Sequence, residues 1–280
     1  MSTIRKLFYF FPPTARFWLR RLWYLPYDLF TYYLNPSRKL IPPKGLVFVG
    51  SGDFLEQGNR FLNHFVELGG LRRNHKVLDV GCGIGRMAIP LTNYLDPQLG
   101  SYEGFDPMPV GIKWCKEHIH KRFPNFNFTL VDVGNDLYIR HLKKDGRDLM
   151  FPYDSATFDF CFLTSVFTHL LPSETSNYLS EINRVLKPGA RCFATFFILD
   201  KESKQQIEKG NSSFSFPFSF EENWVMDLNA KAANVGYENE WLQNALKSAQ
   251  LDMIAFYPGS WRGESNARDF QDICIFEKVR

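Results

Sequence analysis

Three glycines at alternate positions, Gly81, Gly83 and Gly85, follow the apolar run of Val77, Leu78 and Val80 in KVLDVGCGIGRM. Asp79 stands inside that run and Cys82 among the glycines. These residue types at this spacing suit a ligand lying against the backbone at the end of a buried strand, because glycine admits sharp turns and keeps no side chain in the way. A dinucleotide loop needs glycines at the first, third and sixth positions so that pyrophosphate meets a helix N-terminus. Here the sixth position is Arg86. Glycines at the first, third and fifth positions, with an acid two residues ahead, fit a ligand with no phosphate and a cationic amino-acid end. A second acid, Asp106, ends the strand-like run GSYEGFDP and lies 21 residues after Gly85. Its carboxylate can accept from both hydroxyls of a ribose. It can also cap a helix opened by Pro107, a role worth about 0.5 to 2 kcal/mol. The two roles are compatible.

This arrangement resembles motif I of the class I S-adenosylmethionine-dependent methyltransferases, and the segments that follow extend the resemblance from Leu71 to Phe197. FNFTLVDV, residues 126–133, looks like a third strand ending at Asp132; FPYDSATFDFCFLTSVFTHL, residues 151–170, looks like the region of the fourth. EINRVLKPGARCFATFF, residues 181–197, looks like a helix, a Lys-Pro-Gly turn and the fifth strand, with Pro188 and Gly189 ending the helix on backbone grounds. The resemblance implies S-adenosylmethionine as cofactor. Its amino-acid end would lie on Asp79, Gly81, Cys82, Gly83 and Gly85, its ribose on Asp106 and its adenine near Asp132 and the Val133 amide, with Met108 and Thr164 as further contacts.

The elements that must position these residues alternate between helical and strand patterns, which argues for an α/β fold: a parallel sheet with helices on both faces. The family implies a doubly wound seven-stranded, mostly parallel sheet of order 3-2-1-4-5-7-6 with strand 7 antiparallel. Residues 251–257 and 270–278 are the natural strands 6 and 7. A helix is expected over residues 53–71, with Asp53 as its cap and Gly69 and Gly70 at its end. It would either cover the cofactor, as in the family, or serve as a core helix. The organisation expected is a basic, aromatic N-terminal extension (residues 1–45) and a methyltransferase domain (46–280), with a substrate-cap insertion at 201–237. Within that insertion SSFSFPFSF reads as an edge strand or as a loop over the site. Its phenylalanines either line an acceptor pocket or close the core.

A chain of 280 residues is long enough to bury a large core. Five cysteines, odd in number and without a close pair, suggest neither a disulfide framework nor a metal site, and point to a reducing, cytoplasmic compartment. A nucleophilic role for Cys82 is not expected, since the loop needs a small side chain there.

Charge is unevenly spread. Residues 1–45 hold eight Lys or Arg against Asp28 as their acid, a net +7, whereas the whole chain carries +3. At 100 degrees per residue Ala15, Trp18, Leu19, Leu22 and Leu25 share a stripe about 120 degrees wide, with Arg16, Arg20 and Arg21 off it. Readings of residues 1–35 are packing on the protein itself or on a second subunit, peripheral contact with a membrane surface, or a mitochondrial leader short of serines. No stretch is long enough to span a bilayer. Nucleic acid is not an expected partner, because no basic stripe in the remaining sequence supports it.

Methyl transfer from a sulfonium is an in-line displacement, so alignment of the acceptor supplies much of the acceleration and a base is needed only where the acceptor loses a proton. His169, just after the fourth strand, is the residue placed for that role; helix capping or packing is its alternative. Tyr257, Trp261 and Arg262 are expected acceptor contacts, or else an ordinary turn around Pro258 and Gly259. LTSV stands where nucleic-acid and protein amino-methylating members carry an NPPY-like tetrad. The resemblance therefore implies O- or C-methylation of a small molecule, and an aromatic lining of its pocket would favour a lipophilic or ring-containing one. The alternative is a catalytically inactive member acting as a cofactor-binding partner or regulator; Arg86 disfavours a nicotinamide oxidoreductase.

Overall fold

The structure is a computed structural model that describes residues 13–33, 40–47, 52–133 and 146–279. The leader's Phe8 to Phe11 run, with Arg5, Lys6, Arg38 and Lys39, lies outside the described residues. In chain order the helices are α1 (Pro13–Asp28), α2 (Phe54–Glu67), α3 (Ala88–Tyr94), α4 (Pro109–Cys115), α5 (Pro172–Val185), α6 (Lys201–Glu208) and α7 (Asn239–Ser248). The strands are β1 (Lys76–Val80), β2 (Ser101–Asp106), β3 (Phe126–Leu130), β4 (Phe158–Leu163), β5 (Leu186–Phe196), β6 (Ile198–Leu199), β7 (Phe218–Phe220), β8 (Asn223–Val225), β9 (Val235–Glu238), β10 (Leu251–Tyr257) and β11 (Asp272–Lys278).

Seven strands form the main sheet in the order β10-β11-β5-β4-β1-β2-β3. β1 runs parallel to β2 and β4, while β11 is antiparallel to both β5 and β10. This is the doubly wound order expected, with the last strand reversed. Alternation along each strand separates two apolar layers. Val77 packs on one face with Phe65 of α2, Leu91 of α3 and Ile112 of α4; Leu78 and Val80 pack on the other with Leu179 and Ile182 of α5 and Leu242 of α7. All five cysteines are free and buried: Cys82 and Cys115 in the first layer, Cys161, Cys192 and Cys274 in the second.

Helix α2 begins where Asp53 accepts from the amides of Leu55 and Glu56 at 3.0 and 2.9 Å, as its residue type predicts. Its buried residues Phe54, Gly58, Phe61, His64 and Phe65 follow helical spacing. At Gly58 an added Cβ would lie 2.7 Å from the Arg86 carbonyl oxygen, so this helix can sit tight against the glycine loop only with glycine there.

The segment after β5 folds as α6 and a four-stranded sheet of order β6-β9-β8-β7. Phe214 and Phe216 pack with Phe197, Trp224 and the fully buried Trp261 in a small separate core. These phenylalanines thus close a core. Arg262, 1% exposed, donates to Asp200 Oδ2 at 2.9 Å and to the Ile198 carbonyl at 2.9 Å, with its Nε 3.3 Å from Asp272 Oδ1. Asp272 also accepts from the Ile198 and Gly259 amides and from the Trp261 indole. This hub ties the small sheet to the main one.

Removing one partner of a buried ion pair strands the other. Asp272→Ala is therefore expected to destabilise the protein by about 3 to 5 kcal/mol, read as a lower urea midpoint at unchanged slope; a midpoint within experimental error of the wild type would show that the hub contributes little.

Candidate active site

A cavity of about 430 Å³ opens at the carboxyl ends of β1, β2 and β4, the end of an open α/β sheet where ligands bind. Its floor is the glycine loop. Gly81, Gly83 and Gly85 have φ of 81°, 55° and 80°, in the region that disfavours side chains. At Gly81 a Cβ would come within 2.6 Å of Val166 Cγ2. From the other side, a Cβ on Gly111 of α4 would meet the Gly83 carbonyl oxygen at 2.3 Å.

The two acids found by spacing meet here. Asp106 accepts from the Gly83 amide through Oδ2 at 2.9 Å and from the Met108 amide through Oδ1 at 2.8 Å. Burial nevertheless raises its pKa to about 6, those two hydrogen bonds acting in the opposite sense. Asp79 is 1% exposed and accepts from the Tyr102 hydroxyl through Oδ2 at 2.6 Å; its Oδ1 has no hydrogen-bond partner among the described residues. Burial lifts its pKa to about 8, opposed by the Tyr102 bond and reinforced by Asp106. Cys82 lies between them, and burial, with Asp106 and Cys115 adding to it, pushes its thiol up, so it fills space as a neutral side chain.

Of the residues expected at the cofactor, Asp79, Gly81, Cys82, Gly83, Asp106, Met108, Val133 and Thr164 line the cavity. Gly85 does not. It faces α4 and the turn after it, where a Cβ would lie 2.7 Å from Ile119 Cδ1. Asp132 is solvent-exposed and is not part of the lining, whereas its neighbours Val131 and Val133 are. The alternation along the end of β3 turns the acid outward and the two valines inward.

His169 lines the cavity from the turn after β4. A carbonyl can only accept, so the Nδ1 placed 3.0 Å from the Ala232 oxygen carries the proton and Nε2 is the basic atom of the neutral ring. Burial lowers its pKa, the backbone contacts at Ala232 and Ala233 opposing the shift. Tyr237 of β9 fixes the same turn through the carbonyls of Phe167 at 3.0 Å and Leu170 at 2.6 Å. These are the insertion's links to the site: among the described residues, none of 201–237 or of the leader lines the cavity, contrary to the expectation of a cap over the acceptor.

The expected acceptor contacts lie elsewhere. Trp261 and Arg262 are spent in the buried hub, and Tyr257 lies under Arg268, 5.5 Å from the guanidinium carbon, outside the lining. The loop that carries them contributes its far end instead: Asp269, Phe270 and Gln271 form one wall. Gln57, Arg60 and Phe61 of α2 join it in the lining. Arg60 Nε lies 3.1 Å from Asp269 Oδ2, and Gln271 Oε1 accepts from the Ser165 hydroxyl at 3.0 Å. Tyr178 of α5, 6% exposed, reaches the cavity from below. Helical phase marks Tyr178 as inward-facing, whereas Arg60 is exposed and off the buried stripe of α2; that both meet the cavity depends on tertiary distance.

Comparison with known proteins agrees with this geometry. Residues 78–194 match the Methyltransferase domain family. Cycloartenol-C-24-methyltransferase 1 of Oryza sativa subsp. japonica is 31% identical over 173 residues, covering 58% of this chain and 45% of that protein. Sterol 24-C-methyltransferase erg6 of Schizosaccharomyces pombe is 31% identical over 120 residues, 43% of this chain and 27% of that one. The chain thus spans less than half the length of either relative. Among solved structures, a protein from Pyrococcus horikoshii OT3 superposes with a TM-score of 0.56 at 17% identity, over 87% of this chain and 99% of that one. The 1,6-didemethyltoxoflavin-N1-methyltransferase of Burkholderia thailandensis, solved with its acceptor and S-adenosylhomocysteine, gives 0.51 at 15% identity over 94% and 88%. These similarities are of fold. Sheet order, glycine loop and paired acids define a Rossmann-like methyltransferase domain. Residues 78–194 are thus a methyltransferase domain of the class I S-adenosylmethionine-dependent type, and S-adenosylmethionine is the cofactor of that domain. The unpartnered Asp79 Oδ1 beside an open glycine loop fits the cationic amino-acid end of that molecule.

The raised pKa of Asp79 has a sign that can be checked. An unfolded carboxyl ionises near pH 4, whereas the folded one holds its proton up to about pH 8. Across that window the folded state binds more protons, so stability falls as pH rises. Asp79→Asn mimics the protonated form and still accepts from Tyr102. Its unliganded melting temperature should match the wild type near pH 4 and exceed it by several degrees above pH 8. A difference that does not vary with pH would contradict the burial of a neutral Asp79.

Proposed function

We propose that this protein transfers the methyl group of S-adenosylmethionine to oxygen or carbon of a small, lipophilic acceptor. The observation that carries the reading is that the glycine loop, both buried acids and His169 open on one cavity. The unpartnered Oδ1 of Asp79 would accept from the cofactor's ammonium, and the Gly81 and Gly83 turns would let its amino-acid end lie on the backbone. Asp106, already anchored by two amides, would turn its remaining lone pairs to the ribose hydroxyls. Val133, Thr164 and Met108 would flank the adenosine. The cofactor supplies an electrophilic methyl on a sulfonium; alignment of the acceptor is the protein's part.

Support for a lipophilic acceptor comes from the wall of Phe61, Leu170 and Phe270 and from the relatives, which are named for carbon methylation of cycloartenol and of a sterol. Arg60, paired with Asp269, and Gln271 would meet one polar group at the end of such a molecule. His169, neutral and with Nε2 basic, would take a proton where the acceptor must lose one. In this reading residues 46–280 act as the catalytic unit. The insertion at 201–237 orients the His169 turn rather than covering the acceptor.

Asp106→Ala should weaken S-adenosylhomocysteine binding by about 100-fold, the loss expected when a charge-assisted pair of hydrogen bonds disappears, with the circular dichroism spectrum retained; unchanged affinity measured by calorimetry would remove Asp106 from the site. His169→Ala should lower turnover with cofactor affinity intact; the wild-type rate should fall on the acid side with a midpoint below the ordinary histidine pKa of about 6.5, and the variant should lose that acid limb. Undiminished turnover would exclude the base. The acceptor class is tested by incubating the protein with methyl-labelled cofactor and cell extract, then separating lipid, aqueous and macromolecular fractions against the Asp106→Ala control. Label in the lipid fraction supports the proposal. Label confined to macromolecules overturns it, and label nowhere despite bound cofactor favours a cofactor-binding regulator.

A further inference from the structure

Helix α1 is turned inside out relative to an ordinary surface helix. Arg20, Tyr24 and Asp28, spaced four residues apart, form its inner stripe: Asp28 is buried and accepts from the Lys44 amide at 2.7 Å and the Gly45 amide at 2.9 Å, while Arg20 lies against the Tyr24 ring. The outer surface is apolar. Trp18, Leu19, Leu22, Trp23 and Leu25 occupy an arc of about 160 degrees at 100 degrees per residue, and all are exposed, Trp23 to 80%. Phe30, in the π-turn Leu29–Tyr33 that continues the helix, is 75% exposed. A soluble monomer rarely leaves so large a contiguous apolar patch uncovered.

The helix is held in this orientation through its C-terminal half and the turn that follows it. The Asp28 bonds fasten it to the turn Lys44–Leu46, where a Cβ on Gly45 would stand 3.1 Å from Arg21 Cα. Past the π-turn, the Tyr32 hydroxyl lies 3.0 Å from His118 Nε2, on the imidazole that stacks against Trp114 beside the first apolar layer. The apolar arc is therefore presented by the folded domain.

We infer that the outer face of α1 docks on the surface of a bilayer containing anionic lipid. Residues 1–45 carry a net +7, and Asp28, their acid, is turned inward and bonded. Cations interleave with the aromatic rings: Arg21 lies 5.5 Å from the Trp18 ring, and Lys44 lies 5.2 and 5.1 Å from those of Tyr24 and Tyr27. Tryptophan and tyrosine flanked by Lys and Arg, on a helix with a wide apolar arc, is the composition that settles at the level of lipid headgroups. Two-fold pairing of the same face would set two +7 segments against each other, which disfavours a second copy as occupant. No helix among the described residues is long and apolar enough to cross a membrane, so the contact is with one leaflet. The inference stands apart from the catalytic reading, since it uses no residue of the cavity.

The test is sedimentation of the full chain with vesicles of phosphatidylcholine alone and of equimolar phosphatidylcholine and phosphatidylglycerol. The wild type should bind the anionic vesicles and lose binding as salt rises. Trp23→Ser combined with Phe30→Ser should weaken binding by at least about tenfold while leaving affinity for S-adenosylhomocysteine unchanged, which also shows that the variant is folded. Brominated phosphatidylcholine mixed with phosphatidylglycerol should quench tryptophan fluorescence of the wild type, a measurement that needs no variant. A wild type that stays in the supernatant with anionic vesicles, or a double variant that binds as well as the wild type, overturns the inference. A dimer in light scattering that the double variant abolishes, without vesicle binding, overturns it in favour of a second copy.

Discussion

Everything at the cavity hangs on the way Asp106 clamps the glycine loop to β2. Its two oxygens accept from amides on opposite sides, Gly83 in the loop and Met108 at the start of α4. The loop amides of Gly81 and Cys82 add bonds to the Phe105 carbonyl at 2.9 and 3.1 Å. Once the loop is drawn down in this way, no side chain fits between it and α4, hence Gly111 against the Gly83 carbonyl. The positive φ angles follow from the same closure. The carboxylate thus builds the cradle before any ligand touches it, and loss of the group would reach beyond a single contact.

Behind the clamp stands a second carboxyl in an opposite electrical condition. Asp79 faces Tyr102 in the apolar layer, and burial keeps it neutral at pH 7 by raising its pKa to about 8. A cation arriving at Oδ1 would favour the ionised form. Binding of a sulfonium amino acid would then release a proton from the protein, and a neutral analogue would not. The site would then discriminate between charge states of its ligand with a group that is itself uncharged before binding.

The glycine loop and Asp106 were legible in the sequence because backbone geometry dictates them: only glycine tolerates those turns, and strand alternation fixes which residue ends a strand. Alternating patterns pointed to a parallel sheet with helices on both faces, whereas its strand order came from the family resemblance alone. Trp261 and Arg262 were misread because their partners, Asp200 and Asp272, converge from distant segments, and a local window around Pro258 shows neither. Phe214 and Phe216 were ambiguous on the same ground, since the core they close is completed by Trp224 and Trp261. Asp132 illustrates a finer limit: the strand stops at Leu130, two residues before the end expected for it, and one step of alternation decides between cavity and solvent. In α1 the period revealed a stripe, but not that it faces away from the protein.

The cysteines have a use unrelated to chemistry at the site. Two lie in one apolar layer and three in the other, all of them buried and unpaired. Cys82 borders the cavity, but a thiol reagent finds none of the other four until a layer opens, and the position modified tells which one did. Followed by mass spectrometry, labelling at Cys115 records the parting of α2, α3 and α4 from the sheet, and labelling at Cys161, Cys192 and Cys274 records that of α5 and α7. The chain carries its own clock for the order in which its two halves come undone.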